Sequence, residues 1–114
     1  MSGFCMVTTT TRGDNVKAII EAVLSQQLAA CVHVTPIRSH YVWQGVLRDE
    51  AEDMLVIKAK LADYADLEAA IRAVHAYDVP EILRVDVAAG SAPYLDWIVE
   101  MTRAAPKKCV MPTS

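Results

Sequence analysis

Ala29-Ala30-Cys31-Val32-His33-Val34-Thr35-Pro36-Ile37-Arg38-Ser39-His40-Tyr41-Val42-Trp43-Gln44-Gly45-Val46 is the stretch on which the fold turns. Its first six residues form an apolar, β-branched run of the kind that makes a strand. Pro36 has no N–H to give a ladder, so the strand bends there or lies at a sheet edge. It resumes at Ser39, passes Tyr41 and Trp43, and meets a turn signal at Gln44-Gly45. A second long strand then runs from Val46 to about Lys60. Its acidic middle, Asp49 to Asp53, must face solvent or form the hairpin end, which leaves the turn open between Gly45 and that segment.

Outward from this hairpin, both flanks read as helix and then strand. On the N-terminal side Val16, Ile19, Ile20, Val23 and Leu24 recur at helical spacing, with Asp14 placed to cap. Before them Phe4 to Val7 is a short apolar run, ended by threonines and Arg12-Gly13-Asp14, which suits a strand buried on both faces. On the C-terminal side Asp63 is placed to cap a helix whose apolar positions are Tyr64, Leu67, Ile71 and Val74, and which ends at His75. After Pro80 an alternating strand carries Leu83, Val85 and Val87 on one face and Arg84 and Asp86 on the other. Ser91 caps a last helix with Pro93 in its first turn, where proline is tolerated. The order is β-α-β-β-α-β plus a helix, the ferredoxin-like arrangement of a four-stranded antiparallel sheet with helices on one face. Residues 1–104 read as one domain of α+β class and 105–114 as a C-terminal tail.

Composition narrows what such a domain does. More than half of the 114 residues are apolar, a surplus that a small domain cannot bury alone. With the long hairpin, it points to a neighbouring copy covering the sheet's other face. Net charge is −3, and the one basic cluster, Arg103, Lys107 and Lys108, reads as a solvated tail, so no nucleic-acid partner is expected. No apolar run reaches the length of a membrane span, and Met1 to Val7 lacks the marks of a signal peptide, so the expected compartment is cytoplasmic. Cys5, Cys31 and Cys109 are far apart and form no CxxC pair, which removes zinc-ribbon, thioredoxin-type and iron–sulfur readings. The strands lack the aromatics of an RNA-binding sheet, and Arg12 has no glycine-rich phosphate cradle around it.

Five segments in chain order resemble the CutA divalent-cation-tolerance family. They are Leu28-Ala29-Ala30-Cys31-Val32, Tyr41-x-Trp43-x-Gly45, Leu55-Val56-Ile57-Lys58, His75-Ala76-Tyr77-Asp78-Val79-Pro80-Glu81-Ile82 and Tyr94-Leu95-x-Trp97-Ile98. The resemblance implies a ferredoxin-like protomer assembled as a homotrimer, similar in architecture to the PII signalling proteins. It implies a role in divalent-cation tolerance or response, with copper the expected metal, and no enzymatic activity. The alternative is a trimeric scaffold or signalling module that binds a protein partner and no specific ligand.

The resemblance also names a metal site in some members: a Cys on the first strand and two consecutive His after the second helix. The matching positions are Thr8, Val74 and His75, so one imidazole survives. His75 is the candidate metal ligand, with Asp78 or Glu81 as oxygen donors; its other reading is a helix C-terminal residue satisfied by the last carbonyls. Cys31 and His33, two apart on one strand, share a face and form a second donor pair, or else simply fill that face. Glu81 is placed to pair with Lys58, and the pair, with Tyr77 and Trp43, either lines a ligand cleft between subunits or is a purely structural salt bridge at the trimer seam. An enzyme using His75 as base and Asp78 as orienter lacks any nucleophile motif beside it.

Overall fold

Alternate residues of the first strand decide which side of the sheet becomes the core. In β1 (Phe4–Thr11) Cys5, Val7, Thr9 and Thr11 are fully buried, while Phe4, Met6 and Thr8 on the other face are half-buried. The computed structural model describes residues 3–104. Lys107, Lys108 and Cys109 lie outside them. The remaining elements are α1 (Asn15–Ser25), β2 (Cys31–Trp43), β3 (Val46–Lys60), a single 3₁₀ turn (Leu61–Asp63), α2 (Tyr64–Val74), β4 (Ile82–Val87) and α3 (Ala92–Met101). The sheet order is β2-β3-β1-β4 and every neighbouring pair is antiparallel. This is the α+β topology expected from the sequence.

The core lies between one sheet face and α1 with α2. Ile19 and Val23 from α1 and Leu67, Ala70 and Ile71 from α2 pack on Cys5, Val7, Leu55, Ile57 and Ala59. Those apolar positions fall at helical spacing on the helices and at period two on the strands, so both halves of the core were legible as pattern. The opposite face is covered only in part, where α3 meets β3. Leu83 and Val85 on β4 are about half exposed, and so is Trp43 near the hairpin tip.

The turn resolves at the first signal. Gln44 and Gly45 join Trp43 to Val46 directly, with φ of 52° and 77°, the left-handed pair that a two-residue hairpin requires. Asp49 to Asp53 is therefore strand, paired from His40 back to Pro36 on β2. Pro36 does not break β2, because β2 is an edge strand and loses no second ladder there. The hairpin runs far beyond the helices: the molecule is 62 Å long by 29 by 23 Å. Its radius of gyration is 16.2 Å, against about 13 Å for a compact chain of this length.

Two expected caps are made differently. Asp14 and Asp63 stand at the helix N-caps but accept no capping bond from the helix. Asp63 is instead fully buried and ion-paired to Arg103 at 3.0 Å, with Lys60 Nζ 3.7 Å from its other oxygen. Arg103 is thus no solvated tail residue. Its backbone N–H donates to Gln27 O, its carbonyl accepts from Lys60 Nζ, and its guanidinium also holds Asp66. Ser91 does cap α3, accepting from Tyr94 N at 3.4 Å. Among the described residues no helix is long and apolar enough to cross a membrane.

Candidate functional site

The loop between α2 and β4 is held down by a residue of the neighbouring helix α1. Asn15, the first residue of α1, donates from Nδ2 to the Val74 carbonyl at 2.8 Å and accepts at Oδ1 from Ala76 N at 3.2 Å. Thr11 Oγ1 donates to the same Oδ1 at 2.6 Å. One side chain therefore terminates α2 and fixes the start of residues 75–81.

His75 follows from that anchor. Its Nδ1 accepts the Tyr77 N–H at 3.1 Å, which leaves the ring proton on Nε2. Nε2 sits 3.1 Å from both the Thr10 carbonyl and Thr9 Oγ1. Burial holds its pKa below the ordinary 6.5, although the Thr10 carbonyl and nearby Glu52 pull the other way. The imidazole is neutral, and both its nitrogens are engaged within the chain. His75 follows the helix end but is satisfied by Thr10, Thr9 and Tyr77, not by the helix's own last carbonyls.

From His75 the chain turns so that Tyr77 reaches the root of the hairpin. The Tyr77 ring lies 5.0 Å from that of His75, and its hydroxyl donates to Glu52 Oε2 at 2.6 Å. Arg12 Nε donates to the same hydroxyl at 3.0 Å, and Arg12 Nη2 donates to Glu50 Oε1, also at 3.0 Å. Tyr41 adds its hydroxyl to Glu50 Oε1 at 2.7 Å, and Ser39 adds its own to Glu52 Oε1. The Tyr41 bond above all, and the Arg12 charge, hold Glu50 below the usual carboxylate range. Burial and the bond to Glu52 raise the Tyr77 phenol, so it stays a donor at neutral pH. Ser39, Tyr41, Glu50 and Glu52 all point from the sheet face away from the helices, because their register pairs are Ser39–Glu50 and Tyr41–Arg48.

These groups line a cleft of about 920 Å³ between the hairpin and the 75–81 loop. Trp43, Tyr77 and Glu81, which the sequence placed in a cleft between subunits, line this cleft of the single chain together with Arg12, Tyr41, Glu50, Glu52 and Asp78. Four carboxylates face two guanidiniums, those of Arg12 and Arg48. Lys58 is not brought in. The register sets it beside Met6, which pairs Val85, four positions along β4 from Glu81, or about 13 Å. Within the single chain Lys58 and Glu81 do not pair, and Lys58 Nζ lies 5.8 Å from the Tyr94 ring centre.

Cys31 and His33 do share the open sheet face, opposite Lys58 and Val56, with no third donor beside them. Among the described residues no three His, Cys, Asp or Glu side chains are grouped to hold a metal ion. Arg12, Asn15, Glu50 and Glu52 were not singled out for this site from the sequence. Arg12 meets Tyr77 and Glu50, and Asn15 meets Val74, across 38 to 65 residues, and local spacing carries no mark of such pairs.

Comparison with known proteins agrees with this architecture. The family model of the CutA1 divalent ion tolerance protein matches residues 4–101. A rice chloroplastic CutA 1 is 36% identical over 88 residues, covering 76% of this chain and 50% of that protein. The divalent-cation tolerance protein CutA of Thermus thermophilus is 37% identical over 87 residues, 75% of this chain and 84% of that one. The chain spans about half the length of the plant relatives it matches. The crystal structure of rice CutA1 superposes with a TM-score of 0.84 at 33% identity, covering 89% of this chain and 94% of that one. That of Pyrococcus horikoshii CutA1 gives 0.84 at 28% identity, covering 88% and 99%.

Proposed function

The chain belongs to the CutA1 divalent ion tolerance family, and from that premise we propose that it works as a homotrimeric, non-enzymatic cation-response protein with its ligand site in the cleft at the hairpin root. One observation carries the reading. The cleft holds four carboxylates against two guanidiniums, and Glu50 and Glu52 are pre-oriented by hydroxyl donors on a rigid strand. Such a surface attracts positive charge.

Copper binds most tightly to thiolate and imidazole donors. The described residues of one chain assemble no such set, since His75 has no free nitrogen and Cys31 with His33 makes only two donors. Copper or another divalent cation is therefore read as a weakly held, oxygen-bound ligand of Asp78 or Glu81, without a converging set of three donors. Trp43 and Tyr77 wall the site, and Lys58 lies outside it. The same commitment of both His75 nitrogens removes it as a general base.

The open sheet face favours one second reading, a trimeric scaffold whose only business is assembly and partner binding. Calorimetric titration of copper(II) into metal-free protein separates the two. Weak binding is expected, lost in the Asp78→Asn/Glu81→Gln double variant and kept in His75→Gln. Tight binding that disappears in His75→Gln overturns the cleft assignment, and no heat in the wild type leaves the scaffold.

A further inference from the structure

Lys58 is a cation without a counter-charge, set in the open face of the sheet. The register puts it beside Met6 on β1 and Cys31 on β2, with Val56 two positions along its own strand. It is half-buried and enters no ion pair among the described residues. Water still reaches its ammonium group in the single chain. A second copy laid over Leu83 and Val85, which flank this spot on β4, removes that water. An ammonium closed into apolar surroundings is costly unless a carboxylate comes with it.

The carboxylates of the same face are either committed or out of reach. Glu50 is held by Arg12 and Tyr41, and Glu52 by Tyr77 and Ser39. Glu81 directly precedes β4, at the end of the exposed row that continues through Leu83 and Val85. It is exposed and, like Lys58, enters no ion pair among the described residues. The offset of about 13 Å along the strands is too long for a lysine of the same chain to span. Glu81 also lines the cleft whose four carboxylates face only two guanidiniums, a shortage of positive charge that one more cation relieves.

We infer that Lys58 of the partner subunit completes this cleft by pairing with Glu81, so that the basic end of one open face meets the acidic end of the next. This rests on the homotrimeric reading and adds the ion pair that sets how copies meet. A head-to-tail contact of this kind uses different patches on the two copies and closes into a ring when the rotation allows it. A lysine occupies one carboxylate oxygen, which leaves Asp78 and the other oxygen of Glu81 for a divalent cation.

The test is a charge-swap cycle in the full-length protein: Lys58→Glu, Glu81→Lys and the two together. Dissociation is followed by light scattering through a dilution series in constant moderate urea, which brings a tight trimer into range. Each single swap is expected to raise the concentration of half-assembly about tenfold or more, the scale of a lost hydrogen bond between charged groups. The double swap is expected to recover most of that loss, because the pair is restored with its signs exchanged. If a swapped chain does not fold, the neutral cycle of Lys58→Met and Glu81→Gln is read instead; losses smaller together than their sum are expected, and additive losses contradict the pair. Single swaps that leave assembly unchanged, or a double swap as weak as the two losses combined, overturn the inference. A wild-type trimer without rescue removes the pair and leaves the homotrimeric reading standing; a wild-type monomer removes both.

Discussion

At His75 the two ring nitrogens divide their work between neighbouring backbones: Nδ1 takes the Tyr77 N–H and Nε2 serves the Thr10 carbonyl. Protonating Nδ1 would set two N–H groups against each other, so the fold favours the neutral ring, and burial does the same. The folded pKa is depressed, so the unfolded chain takes the proton first as pH falls. This contribution is complete above the ordinary value of 6.5 and is lost as pH drops below it. Denaturant melts between pH 7 and about 5 are expected to show stability declining with acid in the wild type. In His75→Gln that decline is expected to flatten; equal slopes would contradict the neutral assignment. The site was partly legible at this scale. Trp43, Tyr77 and Glu81 were marked by residue type and motif, and they share one cleft. Asn15 looked like any first-turn residue, because its partners Val74 and Ala76 belong to a distant element.

Among the elements, the long hairpin was read from alternation and from Gln44-Gly45, and its turn is fixed by backbone geometry. Gly45 holds its φ of 77° without a steric cost, while Gln44 bears a modest one at 52°. The acidic segment obscured the turn because four carboxylates within five residues mimic a loop, although alternate ones find donors: Glu50 and Glu52 on one face, and Asp49, with Arg38, on the other. The last element was misjudged for a related reason. Arg103 sits in a polar tail-like context, yet it is the clamp that joins the end of α3 to Gln27, Lys60, Asp63 and Asp66. Removing it leaves a fully buried carboxylate with only Lys60 nearby. Arg103→Ala is expected to cost about 2 kcal/mol or more, discounted from the fully buried case because the guanidinium is itself partly exposed. Chemical denaturation measures this, and a change below about 0.5 kcal/mol, the range of ordinary surface substitutions, would show that the clamp is ornamental.

At the scale of the whole molecule, one sheet face is packed by α1 and α2, and the other is covered only where α3 meets β3. Leu83 and Val85 on β4, and Val42, Trp43, Val46 and Leu47 at the hairpin tip, are apolar and exposed in the single chain. Such a surface is costly in water and is the mark of an interface. The apolar surplus in the composition already pointed there, but which residues carried it depended on a register that only the folded sheet reveals. Assembly that buries the uncovered part should make thermal unfolding depend on protein concentration. The most direct test is the mass of the purified full-length protein by light scattering at micromolar concentration. Three times the chain mass of 12.5 kDa is the expected result; a single chain mass, unchanged on raising the concentration, would contradict it.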